Sequence, residues 1–483
     1  MNRRFFIHRS LVILSVAAAM QGFSCFGHAS KKATSYHIEQ FEDEGLAHFS
    51  YAILVDNKIV LIDPARDPRP YYAYAKEQGA EIVAVIETHP HADFVSSHLE
   101  IHRDKKVPIY VSKLVQATYP HKTFDEGDVL KLSEQVVLHA LNTPGHSPDS
   151  ISILLKVEGR VIAIFSGDAV LIGGVGRPDL REYSGEHGTQ REKLARQLFH
   201  TVQNKFVPLE DEVLLYPAHG AGSLCGNAIA GAKQSSIGAE RKQNFAFEKQ
   251  SEADFVRFLL ADQPVIPVYF PYNVELNRQG AASFLPSITA VPAAAVDTLS
   301  DLSLVVLDAR PSAQFRRSHL SGAINIPERL KSESWIGTLI APNTDFYLVT
   351  ENKEQADVQL AKLAKIGYEK FVKGFVLYGD HAGKESLAFD KVAFDNAPQD
   401  YYMLDVRTEK EAKENPVFTQ AHNIPLAVLQ QQVDKLPTDK PIVVYCASGY
   451  RSAIASSLIQ QARPEALVSD IGDIIKYYNK SYK

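Results

Sequence analysis

The amino-acid sequence predicts an α/β chain of about three domains. Three observations lead there. The chain has 483 residues, too many for a single core to absorb. Short apolar runs alternate with helical patterns, and several of those runs end in histidine or aspartate. The last third carries an internal repeat. Hydrophobic residues at 45% and charged residues at 22% are ordinary for a globular protein. A net charge of -6 argues against nucleic acid and anionic membrane as partners.

The leader comes first. Residues 1–29 start basic, with Arg3, Arg4 and Arg9, and Leu11 to Met20 is mostly apolar. That run is too short to span a bilayer. With Gly27-His28-Ala29 following, it reads as a signal peptide, so the mature chain is expected to be exported or periplasmic. The paired arginines before Phe5, Phe6 and Ile7 resemble a twin-arginine signal, and a standard secretory signal is the rival. There are three cysteines, Cys25, Cys225 and Cys446. Cys25 lies in the leader, and two distant cysteines make a poor disulfide framework. Reactive thiols are the better expectation.

Between 36 and 280 the runs Phe49–Val55 and Lys58–Ile62 flank Asp56-Asn57 and predict a β-hairpin. Tyr71 to Gly79 predicts a helix. Strands are expected at Ile82–Ile86, Val136–Ala140, Ser152–Val157 and Val161–Phe165. Thr88-His89-Pro90-His91-Ala92-Asp93-Phe94 leaves the end of the first of these. Two imidazoles and a carboxylate in five residues are ligands for zinc or iron. His146 and Asp168 close two further segments in the same way. His89-Pro90-His91-Ala92-Asp93, Thr143-Pro144-Gly145-His146, Phe165-Ser166-Gly167-Asp168-Ala169 and Tyr216-Pro217-Ala218-His219-Gly220 resemble the ordered motifs of the metallo-β-lactamase fold. Gly174-Val175-Gly176-Arg177-Pro178-Asp179 resembles its persulfide dioxygenase branch.

The resemblance implies an αββα sandwich with one Fe(II) per chain held by His89, His146 and Asp168. His91 and Asp93 would then orient ligands and water. Two histidines and one carboxylate leave coordination positions open for substrate and O₂. The two-metal hydrolases of this fold commonly carry a histidine where Phe94 stands, and phenylalanine cannot ligate. His219 is therefore expected beside the ion or facing substrate. A reading of His91 and His219 as hydrogen-bonded rim histidines stays open. Arg177 and, more weakly, Tyr216 are expected to hold glutathione persulfide. Cys225, six residues past His219, is a candidate sulfur relay. His98, His102, His121 and His187 lack such context and read as structural or surface residues. Pro264–Tyr272 reads as extended chain.

A boundary falls in the Ala-, Ser- and Pro-rich stretch 279–295. Beyond it the repeat begins. Leu304–Arg310 corresponds to Tyr402–Arg407, each ending Asp-x-Arg, and Phe346–Thr350 corresponds to Ile442–Cys446. These resemble two rhodanese domains, 290–385 and 390–483. In the second, Cys446-Ala447-Ser448-Gly449-Tyr450-Arg451 opens into a helical pattern. A thiol there faces backbone N–H groups and a positive helix end, which favour thiolate. Arg451 can order the loop or bind an anionic donor. In the first, Thr350 replaces Cys446, Lys353 replaces Gly449 and Gln355 replaces Arg451, so that repeat is expected to be inactive.

The expected function is oxidation of glutathione persulfide, or a similar small persulfide, by O₂ to sulfite. A C-terminal sulfurtransferase handling thiosulfate, sulfite or persulfide would be coupled to it. The rival is a zinc-dependent thioester hydrolase of the glyoxalase II type with an appended rhodanese. A third reading is a non-enzymatic sulfur carrier or scaffold. No membrane span or nucleic-acid partner is expected, and a homo-oligomer is compatible with the sequence.

Overall fold

The computed structural model describes residues 35–181, 189–226, 229–261, 263–300 and 304–478. The leader with Cys25, and His187, lie outside them. The chain divides into two compact units, Met1–Pro264 with Phe270–Phe284, and Val265–Tyr269 with Leu285–Lys483.

The first unit holds two six-stranded sheets. One runs in the order β1 (Tyr36–Asp43), β2 (His48–Val55), β3 (Lys58–Ile62), β4 (Glu81–Ile86), β5 (Ile109–Val111) and β6 (Lys122–Thr123). The other places β7 (Val129–Lys131), β8 (Val136–Asn142), β9 (Ile151–Val157), β10 (Arg160–Gly167), β11 (Leu214–Pro217) and β12 (Ser235–Ser236) side by side. The β2–β3 hairpin pairs Val55 with Lys58 across Asp56-Asn57, and Asp56 takes the positive φ that such a turn requires. Inward residues of both sheets, among them Tyr51, Ile53, Ile86, Leu138, Ile153 and Phe165, form one buried cluster. Apolar area removed from water at about 25 cal/mol per Å² is what holds the sheets face to face.

Each outer face is covered by helices. Tyr71, Tyr74 and Ala75 of helix Arg69–Glu77 pack on Ile59, Leu61 and Val85. Leu198 and Phe255, from helices Thr189–Thr201 and Glu252–Leu260, pack on Ile164 and Leu215. The result is the αββα sandwich expected from the sequence. One expectation needs correction. Pro264–Tyr272 is not extended throughout, because a helix, Phe270–Gln279, starts inside it. Pro271 lies in that helix's first turn, where a missing N–H costs nothing.

The second unit holds two parallel sheets. The first has the order β13 (Ala293–Ala294), β17 (Val372–Leu377), β16 (Phe346–Thr350), β14 (Val305–Asp308) and β15 (Ile324–Asn325). The second has β19 (His422–Asn423), β18 (Tyr402–Asp405), β20 (Ile442–Tyr445) and β21 (Val468–Asp470). Asp308 pairs with Val349 and Asp405 with Tyr445, so the ladders set Thr350 and Cys446 at equivalent places. Both repeats also bury the same ion pair. Arg310 Nη2 is 2.6 Å from Asp308, and Arg407 Nη2 is 2.6 Å from Asp405.

Candidate active sites

The loops after β4, β8, β10 and β11 bring His89, His146, Asp168 and His219 together on one rim of the sandwich. Asp168 Oδ2 lies 3.7 Å from His89 Nε2 and 3.5 Å from His146 Nε2. Its Oδ1 lies 2.7 Å from His219 Nδ1, and His219 Nε2 lies 2.8 Å from Asp93 Oδ2. All of these side chains are buried.

Neighbouring groups fix each imidazole. Asp63 accepts from Thr88 N at 2.7 Å and from Thr88 Oγ1 at 2.8 Å. Having donated its proton, the Thr88 hydroxyl accepts from His89 Nδ1 at 3.0 Å. His146 Nδ1 donates to the Arg177 carbonyl at 2.9 Å. Both rings therefore aim an Nε2 lone pair at the Asp168 carboxylate, and His89 Nε2 is buried without a hydrogen-bond partner. Burial lowers the pKa of His89 and His146 and keeps them neutral, as metal ligands must be. Burial alone would raise Asp168, but the His219 charge and hydrogen bond outweigh it and hold the carboxyl well below its usual range. Burial opposes protonation of His219, and the Asp168 and Asp93 carboxylates overcome it, so its pKa is raised.

This donor set fits one metal ion. His89, His91 and Asp168 also converge, with ligand atoms within 4.8 Å of one another, as do His91, Asp93 and His219. Within that last group His219 already pairs with Asp93, while both ring nitrogens of His91 are buried without a hydrogen-bond partner. His219 bridges two carboxylates, and His91 Nε2 lies 3.3 Å from Asp63. Phe94 packs its ring 4.3 Å from His91 and 3.8 Å from His48.

The three candidates for facing substrate, Arg177, Tyr216 and His219, are all buried. The Arg177 guanidinium is 1% exposed and forms a bidentate pair with Asp179 at 2.8 and 2.6 Å. It also donates to Pro264 O at 2.5 Å. Arg177 therefore locks its own loop and serves the site through its carbonyl. Tyr216 stacks on Phe165 in the inter-sheet core, ring centroids 5.2 Å apart, with its hydroxyl taken by Gln234. His219 is fully buried between its carboxylates. Arg181, which the motifs did not single out, carries a charge that His89 and His146 both feel. Its Nη2 donates to both Asp149 carboxylate oxygens at 2.8 Å. Asp63 and His48 were missed too: one reads as a turn residue, the other as an ordinary strand residue.

Gly176 shows how tightly the rim is built. Its N–H donates to Asp168 O at 3.0 Å, and a Cβ there would lie 2.2 Å from that oxygen and 2.7 Å from His146 Nδ1. Gly176→Ala is expected to displace His146 and lower metal content about tenfold or more, the scale lost when a ligand's support is removed. Elemental analysis of the purified variant checks this. Cys225 stands close by, its sulfur grouped with Asp168 and His219. Burial raises its pKa well above the usual thiol value, so it is held as a thiol.

In the second unit Cys446 follows β20 and is buried. Gly449 N donates to Sγ at 3.2 Å, and the helix Tyr450–Ala462 begins at the next residue. Arg451, given two roles by the sequence, reaches across to the helix Glu409–Glu414. Its two Nη atoms each lie 2.7 Å from Glu411. That hydrogen bond comes first among the causes that lower Glu411 to about 2. In the first repeat, Thr350 Oγ1 is buried without a hydrogen-bond partner. Gln355 takes up the Glu351 N–H and donates to Ala309 O, so no thiol and no anion cradle stand there.

Known proteins share these parts. Residues 43–219 match the family model of the metallo-beta-lactamase superfamily, and 291–378 and 391–483 each match that of the rhodanese-like domain. The chain is 27% identical over 190 residues to the probable metallo-hydrolase YqgX of Bacillus subtilis, covering 35% of this chain and 84% of that one. It is 28% identical over 161 residues to the mitochondrial persulfide dioxygenase ETHE1 of Homo sapiens, covering 33% of this chain and 58% of that one. Thus it spans a little over half of that relative's length. A solved metallo-beta-lactamase structure from Staphylococcus aureus subsp. aureus COL is similar at 30% identity and a TM-score of 0.65, covering 71% of this chain and 99% of that one.

Proposed function

This chain belongs to the metallo-beta-lactamase superfamily and carries two rhodanese-like domains, and from that premise we propose that it is an iron-dependent persulfide dioxygenase with a sulfurtransferase in its second rhodanese repeat. The observation that carries this reading is the pair of neutral imidazoles aimed at one carboxylate, Asp168, beside Phe94, which offers no ligand atom. His89, His146 and Asp168 would hold the ion. A ferrous ion bound there supplies open coordination positions and electron transfer to O₂. One glutathione persulfide, one O₂ and one water then give glutathione, sulfite and two protons.

The chain's own residues do the rest. Thr88 and the Arg177 carbonyl hold the tautomers of His89 and His146. His219, wedged between Asp93 and Asp168, fixes the carboxylate's orientation. Phe94 packs on His91 and His48 and offers no ligand atom to a second ion. Arg181, polarised by Asp149, offers the positive charge that an anionic persulfide would meet. In the second unit, the Cys446 thiolate attacks a sulfane sulfur. An S–S bond forms on Cys446, the donor's S–S bond breaks, and its electron pair leaves on sulfite or thiolate.

Likeness to a metallo-hydrolase and to a dioxygenase is of similar strength, so chemistry must separate them. Protein purified without added metal is expected to contain about one iron per chain and to consume O₂ with glutathione persulfide. Two zincs per chain with hydrolysis of S-lactoylglutathione would refute the proposal.

A further inference from the structure

Cys446 is connected to the first repeat through three side chains. Its Sγ lies 3.6 Å from Ser452 Oγ. Ser452 is fully buried and is a hydrogen-bond partner of Asp470, at the end of β21. Asp470 Oδ1 accepts from Gly472 N at 2.8 Å, and its Oδ2 lies 3.3 Å from Arg316 Nη1. Arg316 belongs to the thiol-free repeat, in helix Ser312–Arg317. Backbone contacts fix it against β21. Ser386 N donates to Arg316 O at 2.9 Å, and Leu387 bridges Ser469. On the other flank of the loop, Asn325 N donates to Ser457 Oγ at 2.9 Å and the Tyr450 hydroxyl to Pro327 O at 3.2 Å. The first repeat thus grips both the strand and the helix that carry the Cys446 loop.

A serine hydroxyl has one proton to give. An ionised carboxylate only accepts, so Ser452 donates to Asp470 and shows the sulfur nothing but lone pairs. A thiol can donate to those lone pairs; a thiolate is repelled by them. Burial pushes Asp470 up, while Ser452, the Gly472 N–H and Arg316 oppose that rise and Asp473 adds to it. The other charged groups near the loop are Arg451 with its partner Glu411, Asp405 with its partner Arg407, and Arg329, Glu328 and Glu333 around Tyr450.

We propose that Asp470, charge-paired with Arg316 of the thiol-free repeat, is a positioning residue for Cys446 that turns the Ser452 proton away from the sulfur and so governs how readily the thiol ionises. The first repeat is then part of the reactive centre rather than a spacer. The consequence for turnover rests on the sulfurtransferase reading above, but the arrangement itself can be tested without turnover.

The test is the pH profile of iodoacetamide alkylation at Cys446 in the full-length protein, read by mass spectrometry of its peptide. Thiosulfate–cyanide sulfurtransferase activity is measured in parallel. Asp470→Asn is expected to move the alkylation midpoint down by about one pH unit, about tenfold more thiolate on the low-pH side. The amide can donate to Ser452 Oγ and release the hydroxyl proton toward sulfur. In a Ser452→Ala background the same substitution is expected to lose most of that shift. Arg316→Met is expected to move the midpoint the same way, because the buried acid takes up a proton without its counter-charge; Arg316→Lys should leave it in place. An unchanged midpoint in Asp470→Asn protein of native circular dichroism, or a shift that survives Ser452→Ala undiminished, overturns the proposal. A shift of opposite sign in Arg316→Met overturns the part given to Arg316. If wild-type protein lacks sulfurtransferase activity while the alkylation shifts appear, the sulfurtransferase reading fails and this one stands.

Discussion

Asp168→Ala is expected to strip the metal and abolish O₂ uptake with glutathione persulfide while leaving sulfurtransferase activity near wild type. The substitution removes the carboxylate that His89 Nε2 and His146 Nε2 both face, at 3.7 and 3.5 Å. It also leaves His219 with Asp93 as its remaining carboxylate neighbour. Removing an outer partner of a ligand typically costs about 10–100-fold in metal affinity, and loss of the ligand itself is expected to cost more. Breaking a buried pair costs about 3–5 kcal/mol of stability, so Asp168→Asn is the companion variant. It keeps the shape and a hydrogen-bond acceptor for His219 Nδ1 but loses the charge. Elemental analysis, an oxygen electrode and a thiosulfate–cyanide assay on one preparation read all three effects. Loss of both activities in folded Asp168→Asn protein would show that the two centres are not independent.

How much of this was legible in the sequence varies with the range of the interaction involved. Strands β2, β3, β4, β8, β9 and β10 announce themselves by apolar runs and turn residues, which are local properties. The ligand motifs are legible for the same reason, since His89, His91 and Asp93 stand within five residues. Side-chain direction is not local. Arg177 in its Gly-rich loop looked poised for substrate, yet Asp179 two residues on supplies a partner that needs no ligand. Tyr216 opens its motif but stands at a strand position whose side chain enters the core. Asp63 reached the site only because β3 pairs with β4 and sets its carboxylate under Thr88, 25 residues away. His48 arrives through the β2–β11 rim, where it bridges His219. Arg316 and Asp470, 154 residues apart, could not be joined by any reading of spacing.

Cys446→Ser is expected to give the reverse pattern: full O₂ uptake and metal content, with sulfurtransferase activity reduced by about three orders of magnitude or more, the scale lost when a covalent nucleophile is removed. The attacking species in sulfur transfer is a thiolate, and a serine hydroxyl neither ionises near neutral pH nor forms a persulfide. The fold should tolerate the change, because serine is smaller and its oxygen can still accept the Gly449 N–H that now reaches Sγ at 3.2 Å. That loop depends on its backbone more than on the sulfur. Gly449 adopts φ +91°, and a Cβ there would lie 2.9 Å from the Gly472 carbonyl carbon, so Gly449→Ala distorts the loop where Cys446→Ser leaves it whole. The first repeat already contains the natural counterpart of the substitution, with Thr350 at the equivalent ladder position. Its hydroxyl is buried without a hydrogen-bond partner, and no transfer chemistry is expected from it. A Cys446→Ser protein that still moved sulfane sulfur to cyanide would point to Cys225, the other thiol among the described residues. A Cys225→Ser, Cys446→Ser double variant distinguishes that outcome, since it would then lose what the single variant retained.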